Sequence, residues 1–113
     1  MEELNLSDRL RLIAGLIKKG SKVADIGTDH GYLPIFLVKS GITDRVIAMD
    51  VRKGPLKKAE DNTRAFCVFD QIELRLSDGL AALEKGEADT VTISGMGGRL
   101  IQSILTNGME KLD

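Results

Sequence analysis

The stretch Lys22-Val23-Ala24-Asp25-Ile26-Gly27-Thr28-Asp29-His30-Gly31-Tyr32-Leu33-Pro34 decides the fold. Its first part is a short, mostly apolar run that stops at Gly27. The segment after Gly31 carries Pro34 in the first turn of a helix, where the missing N–H of proline costs nothing. Strand, turn and helix in that order open a parallel α/β sheet, and the pattern recurs downstream. Arg45 to Asp50 reads as a second strand, Pro55 opens a helix that runs to about Arg64, Gln71 to Leu76 is a third strand and Asp89 to Ser94 a fourth. In the third, Ile72, Leu74 and Leu76 alternate with Glu73 and Arg75, which is the pattern of an edge strand. Strands alternating with helices predict a doubly wound parallel sheet with right-handed crossovers.

Upstream, Leu10, Ile13, Leu16 and Ile17 recur at helical spacing, with Ser7 placed to cap the first turn and Gly20 to end the last. Downstream, Gly95 to Gly98 is a glycine-rich turn. Leu100, Ile101, Ile104 and Leu105 are expected to be the apolar face of a closing helix that reaches Gly108. Four strands make a small sheet for such a fold, so the chain is expected to hold its N-terminal part only. The fourth strand would then be an open edge carrying Val91 and Ile93, which predicts self-association or cover by the chain's own last helix.

Composition narrows the classes. With 113 residues, 42% of them apolar, the chain supports one core. Sixteen Lys and Arg against seventeen Asp and Glu leave a net charge of −1, so no overall field draws nucleic acid and such a partner has to be argued from a site. The single cysteine, Cys67, excludes an internal disulfide, and the Met-Glu-Glu start lacks the features of a signal peptide. The longest apolar run, Tyr32 to Val38, falls short of the roughly 20 residues of a membrane span. A cytoplasmic protein with no membrane and no metal partner is expected.

Ligands of open parallel sheets sit beyond the carboxyl ends of the strands. The residues there are Asp25 to Gly31, Asp50 with Val51, Ser77-Asp78-Gly79, and Ser94-Gly95-Met96-Gly97-Gly98. All four strand ends carry small or acidic polar residues. The first loop has Gly27 and Gly31 for close backbone approach, yet places Asp29 where dinucleotide-binding loops usually have glycine. A pyrophosphate would meet Asp25 and Asp29 with like charge, whereas the sulfonium and ammonium of S-adenosylmethionine are attracted to carboxylates. Asp50 ends the second strand about 25 residues after Asp25, near the spacing at which an acid takes the ribose hydroxyls of an adenosine cofactor. Asp78 and the backbone at Gly79 face the adenine edge in this reading, and Gly95 and Met96 leave backbone beside the reacting group.

Each of these residues has a plainer reading. Asp29 and His30 are both placed to cap the following helix, Asp78-Gly79 is a common turn dipeptide, and the glycines of the fourth loop permit close packing. Arg9, Arg11, Lys18, Lys19 and Lys22 are expected to form a solvated face. What favours the site is the ordered series of strand-end acids and glycines.

That series, Asp25-Ile-Gly-Thr-Asp-His-Gly-Tyr-Leu-Pro34, Asp50, Gly54-Pro55, Asp78-Gly79-Leu80 and Gly95-Met-Gly-Gly98, preceded by Leu6-Ser7 and Arg9-Leu10, resembles the TrmK family of bacterial tRNA adenine-N1 methyltransferases, whose members modify adenine 22. The resemblance runs from about Leu6 to Leu105. It implies a class I methyltransferase fold using S-adenosylmethionine, with Asp25, Gly27 and Gly31 along the methionine part, Asp50 on the ribose and Asp78 near the adenine. From their places at the strand ends, Thr28, Val51, Ser77 and Gly79 are expected as further cofactor contacts, and Asp29, His30, Gly95 and Met96 as catalytic candidates. Adenine N1 already has a free lone pair, so the chemistry needs alignment of an unpaired or extruded base and no general base. Asp29 is expected to stabilise the positive charge that develops on the base. The Asn/Asp-Pro-Pro-aromatic motif of many N6 enzymes is replaced here by Gly-Met-Gly-Gly. The family's later strands and C-terminal helical domain, which would supply much of the tRNA contact, are not in this sequence, so cofactor binding and catalysis are expected to separate. Two rival readings are a nicotinamide-dependent oxidoreductase half and a non-catalytic S-adenosylmethionine-binding module.

Overall fold

In the computed structural model, residues 6–94 are described in full and residues 99–101 as backbone. The elements run α1 (Asp8–Leu16), β1 (Val23–Ile26), α2 (Tyr32–Lys39), β2 (Val46–Asp50), α3 (Lys53–Ala65), a 3₁₀ turn (Phe69–Gln71), β3 (Ile72–Leu76), β4 (Thr90–Ile93) and β5 (Arg99–Ile101). The four expected strands are present, each a residue or two shorter than read from the sequence. Their order in the sheet is β3-β2-β1-β4-β5, with the first four parallel.

Alternation along the two central strands builds a core on each face. Val23, Val46 and Ala48 join Leu33, Ile35 and Leu37 of α2, Ile13 and Ala14 of α1 and Phe66 beyond α3 on one side. Ala24 and Met49 meet Leu83, Ala88 and Val91 on the other, where the connection between β3 and β4 provides the cover. Strands buried on both faces read as continuous apolar runs, as β1 and β2 do. At the sheet's edge β3 keeps the expected alternation only at its start. Ile72 is buried, whereas Leu76 is half exposed.

Local chemistry explains the helix starts. Ser7 Oγ accepts the Leu10 N–H at 3.2 Å and caps α1 as expected. Helix α1 nevertheless stops at Leu16, which is exposed, rather than at Gly20. The Gly20 N–H instead donates to the Ile42 carbonyl at 2.8 Å, so Gly20 shapes the turn into β1.

Two expectations are corrected at the C-terminal end. Leu100 and Ile101 do not begin a closing helix; they lie in β5, antiparallel to β4 with Val91 opposite Ile101 and Ile93 opposite Arg99. The β4 edge is therefore paired within the chain, which removes the basis for self-association through it. The physical reason is that an unpaired edge presents a row of free N–H and C=O groups, and the few residues between Ile93 and Arg99 suffice for an antiparallel return. The remaining residues assigned to that helix, Ile104, Leu105 and Gly108, lie outside the described residues. No helix among the described residues is long and apolar enough to cross a membrane.

Candidate functional site

The parallel register aligns the carboxyl ends of β1, β2 and β3, and beyond them opens a cavity of about 260 Å³. Gly27, Asp29, Asp50, Val51, Ser77, Asp78 and Gly79, all singled out from the sequence, lie in its wall, with Ile26, Arg52 and Ile93. Charged and apolar surface meet here: the carboxylates stand beside Val51, which is 60% exposed.

Asp50 is the organising group. It is 5% exposed, and its carboxylate accepts the Asp29 N–H at 3.2 Å on one oxygen and the Arg52 N–H at 3.0 Å on the other. The last residue of β2 thereby ties the loop after β1 to the start of α3. A carboxylate has about four acceptor positions, so two remain for a ligand. Its own carbonyl accepts the Ser77 N–H at 2.9 Å, which brings the loop after β3 to the same place. Ser77 then acts within that loop: its hydroxyl donates to the Gly79 carbonyl at 2.9 Å and accepts the Ala82 N–H at 3.1 Å.

The loop after β1 is bent through unusual backbone. Gly27 has φ +64°, and Asp29, a non-glycine residue, has φ +56°. Such a conformation is uncommon outside glycine and costs free energy that functional sites often retain. Asp29 Oδ2 lies 3.4 Å from His30 Nδ1, with both side chains about half exposed.

Three expected cofactor contacts are not in the cavity wall. Asp25 is fully buried and points to the neighbouring strand, where Thr92 Oγ1 donates to it at 2.6 Å and Ser94 Oγ at 2.7 Å. Burial pushes its carboxyl up from 3.8 to about 6, against the opposing pull of these hydroxyl donors. Gly31 is buried, with φ +76°, and an added Cβ would meet the Ala59 Cβ at 3.1 Å; its glycine lets α2 and α3 approach. Thr28 is also buried, and its hydroxyl, which faces Asp25, has no partner in hydrogen-bond geometry among the described residues. Gly95 and Met96 lie outside the described residues.

Arg75 was legible only as an outward-facing residue of β3, yet its side chain is 18% exposed and forms a bidentate pair with Glu87 at 2.6 and 2.7 Å. It also donates to the Ala82 carbonyl at 2.7 Å and to Glu73 at 2.7 Å. It thus pins the loop that carries Ser77 to Gly79. Nothing in the local pattern signals this, because Glu87 is distant in sequence. Among the described residues no cluster of three or more His, Cys, Asp or Glu is placed to hold a metal ion.

Residues 6–113 match the family model described as a methyltransferase domain. The tRNA (adenine(22)-N(1))-methyltransferase of Bacillus subtilis strain 168 is 43% identical over 112 residues, 99% of this chain and 47% of that protein. The chain thus spans about half the length of this curated relative. Among solved structures, the B. subtilis M1A22 tRNA methyltransferase TrmK gives a TM-score of 0.77 at 40% identity, covering 80% of this chain and 39% of that one. TrmK of M. capricolum, in complex with the natural cofactor product S-adenosyl-homocysteine, gives 0.73 at 43% identity, covering 78% and 40%. The resemblance drawn from the strand-end motifs is borne out.

Proposed function

This chain belongs to the methyltransferase domain family, and from that membership we propose that it binds S-adenosylmethionine at the carboxyl end of its sheet. In this reading it is the cofactor-holding part of a cytoplasmic tRNA methyltransferase acting on N1 of adenine 22. The observation that carries the cofactor assignment is the Asp50 carboxylate, buried at the end of β2 with acceptor capacity left over, beside an exposed Val51 in a cavity between three strand ends.

The residues fit the group. Asp50 offers the acceptors a ribose diol needs, and Val51 offers apolar surface to a flat ring. Asp29 in the cavity wall brings negative charge, which suits a sulfonium and an ammonium and opposes a pyrophosphate. When bound, S-adenosylmethionine supplies an electrophilic methyl group. The chain's own contribution is to bind, orient and surround with negative charge, and Asp29 is the carboxylate we assign to stabilising a base that becomes cationic.

Calorimetric titration of this chain with S-adenosylmethionine, S-adenosylhomocysteine and NAD tests the assignment. Saturable binding of the first two and none of NAD is expected. Binding of NAD in their place would transfer the site to the oxidoreductase reading. For the substrate, the B. subtilis relative carries the support through its named activity and 43% identity. An Asp29→Asn change in a full-length relative with unchanged turnover would remove the charge-stabilising role.

A further inference from the structure

We infer that His30 and Tyr32 form a stacking platform for an unpaired purine base, beside the cofactor cleft and separate from it. The inference rests on the proposed function, and it adds the residues that would hold the flat substrate ring. The chain has one histidine, one tyrosine and no tryptophan. These two rings lie against each other with centroids 5.1 Å apart and planes 10° apart. A buried pair in this geometry would be ordinary core packing. Here Tyr32 is 37% exposed and the His30 side chain 40%.

Their position and rigidity favour a binding role over chance contact. His30 follows Asp29, which lines the cavity, and the two side chains are 3.4 Å apart. The backbone between the rings is clamped. Asn62 Nδ2 donates to the His30 carbonyl at 2.8 Å, the Gly31 N–H donates to the Thr28 carbonyl at 2.9 Å, and Gly31 is wedged against Ala59 of α3. A platform ordered before its ligand arrives avoids paying that ordering on binding. Bases taken out of their stack are commonly held on aromatic side chains, because every base has a π face. The adenosine part of the cofactor is proposed for the Asp50, Val51 and Asp78 side of the cavity, and neither His30 nor Tyr32 lies in that cavity's wall, which leaves their rings to a second flat group.

The test saturates the chain with S-adenosylhomocysteine and titrates 2-aminopurine riboside, whose fluorescence falls on stacking. A saturable decrease is expected in the wild type, retained within about twofold in Tyr32→Phe and weakened about tenfold in Tyr32→Ala. Circular dichroism verifies the fold of each variant, and calorimetry measures its S-adenosylhomocysteine affinity. Equal quenching in wild type and Tyr32→Ala overturns the platform. Competition between the nucleoside and S-adenosylhomocysteine, or a parallel loss of S-adenosylhomocysteine affinity in Tyr32→Ala, assigns the ring to the cofactor and also overturns it. A wild type that holds S-adenosylhomocysteine without quenching the nucleoside defeats the platform alone, whereas one that binds no S-adenosylhomocysteine defeats the proposed function and the platform with it.

Discussion

The two ends of the sheet differ in how their charges are used. At the amino end a cavity of about 430 Å³ lies among Lys22, Asp44, Arg45, Gln71, Glu73 and Glu87, and it is larger than the 260 Å³ cavity at the carboxyl end. Its Glu87 carboxylate already accepts three hydrogen bonds, two from Arg75 and one from the Glu84 N–H, and Glu73 is a largely exposed partner of the same Arg75. Among the described residues the Asp50 carboxylate at the other end accepts two backbone N–H groups, and it sits beside apolar surface. Volume does not choose the site, since a third cavity of about 500 Å³ beside α3 and β3 exceeds both; the buried Asp50 carboxylate with acceptor positions to spare selects the carboxyl end, where parallel sheets bind ligands. Substitutions at the two ends should therefore separate binding from stability.

The largest effect is expected from Gly27→Val. A branched side chain at φ +64° is strained and enters the cavity wall, so S-adenosylmethionine binding should become undetectable by calorimetry. A folded Gly27→Val chain that still binds would break the assignment of the carboxyl end.

The next effect concerns pH, and it isolates Asp25 from the binding residues. Its folded-state value of about 6 lies above the ordinary 3.8, so the folded chain holds more protons in that window. Stability should accordingly fall as pH rises from about 4 to 6, by on the order of 3 kcal/mol from this group. Urea midpoints across that range should show the slope in wild type and a flatter profile in Asp25→Asn. An identical profile in both would mean that Asp25 is not the buried group responsible.

Asp50→Ala comes third, with S-adenosylmethionine affinity expected to drop roughly ten- to a hundredfold through loss of charge-assisted hydrogen bonds worth about 1.5–3 kcal/mol. Unchanged affinity in titration would show that the ribose sits elsewhere. The smallest effect comes from Arg75, the partner of the two glutamates in the amino-end cavity. Arg75→Met leaves Glu87 without its bidentate partner and should lower unfolding stability by about 1–2 kcal/mol, read from the urea midpoint at pH 7. The same pairing holds the Glu87 carboxyl down from 4.5 to about 2, so its stabilisation is present above about pH 4.5 and is lost as pH falls toward 2. Arg75→Met should reduce the acid sensitivity in that lower window.

Much of this was legible in the sequence because it is written locally. Apolar runs ending in glycine or an acid located four strand ends, Pro34 and Pro55 marked helix starts, and Ser7 marked a cap, since each depends on residues within a few positions. The candidate acids at those ends followed from the same pattern. What the pattern did not carry was the direction in which each carboxylate points. Asp25 and Asp50 look alike as strand-end acids, yet the register that sets Asp25 against Thr92 turns one into a buried tie between β1 and β4, while Asp50 remains in the cavity wall. The return of Arg99–Ile101 onto β4, the Arg75–Glu87 pair and the stacking of His30 on Tyr32 were decided in the same way. Periodicity reports which face of an element is apolar, but a hydrogen bond between residues distant in the chain exists only after the sheet has assembled and brought its donors within reach.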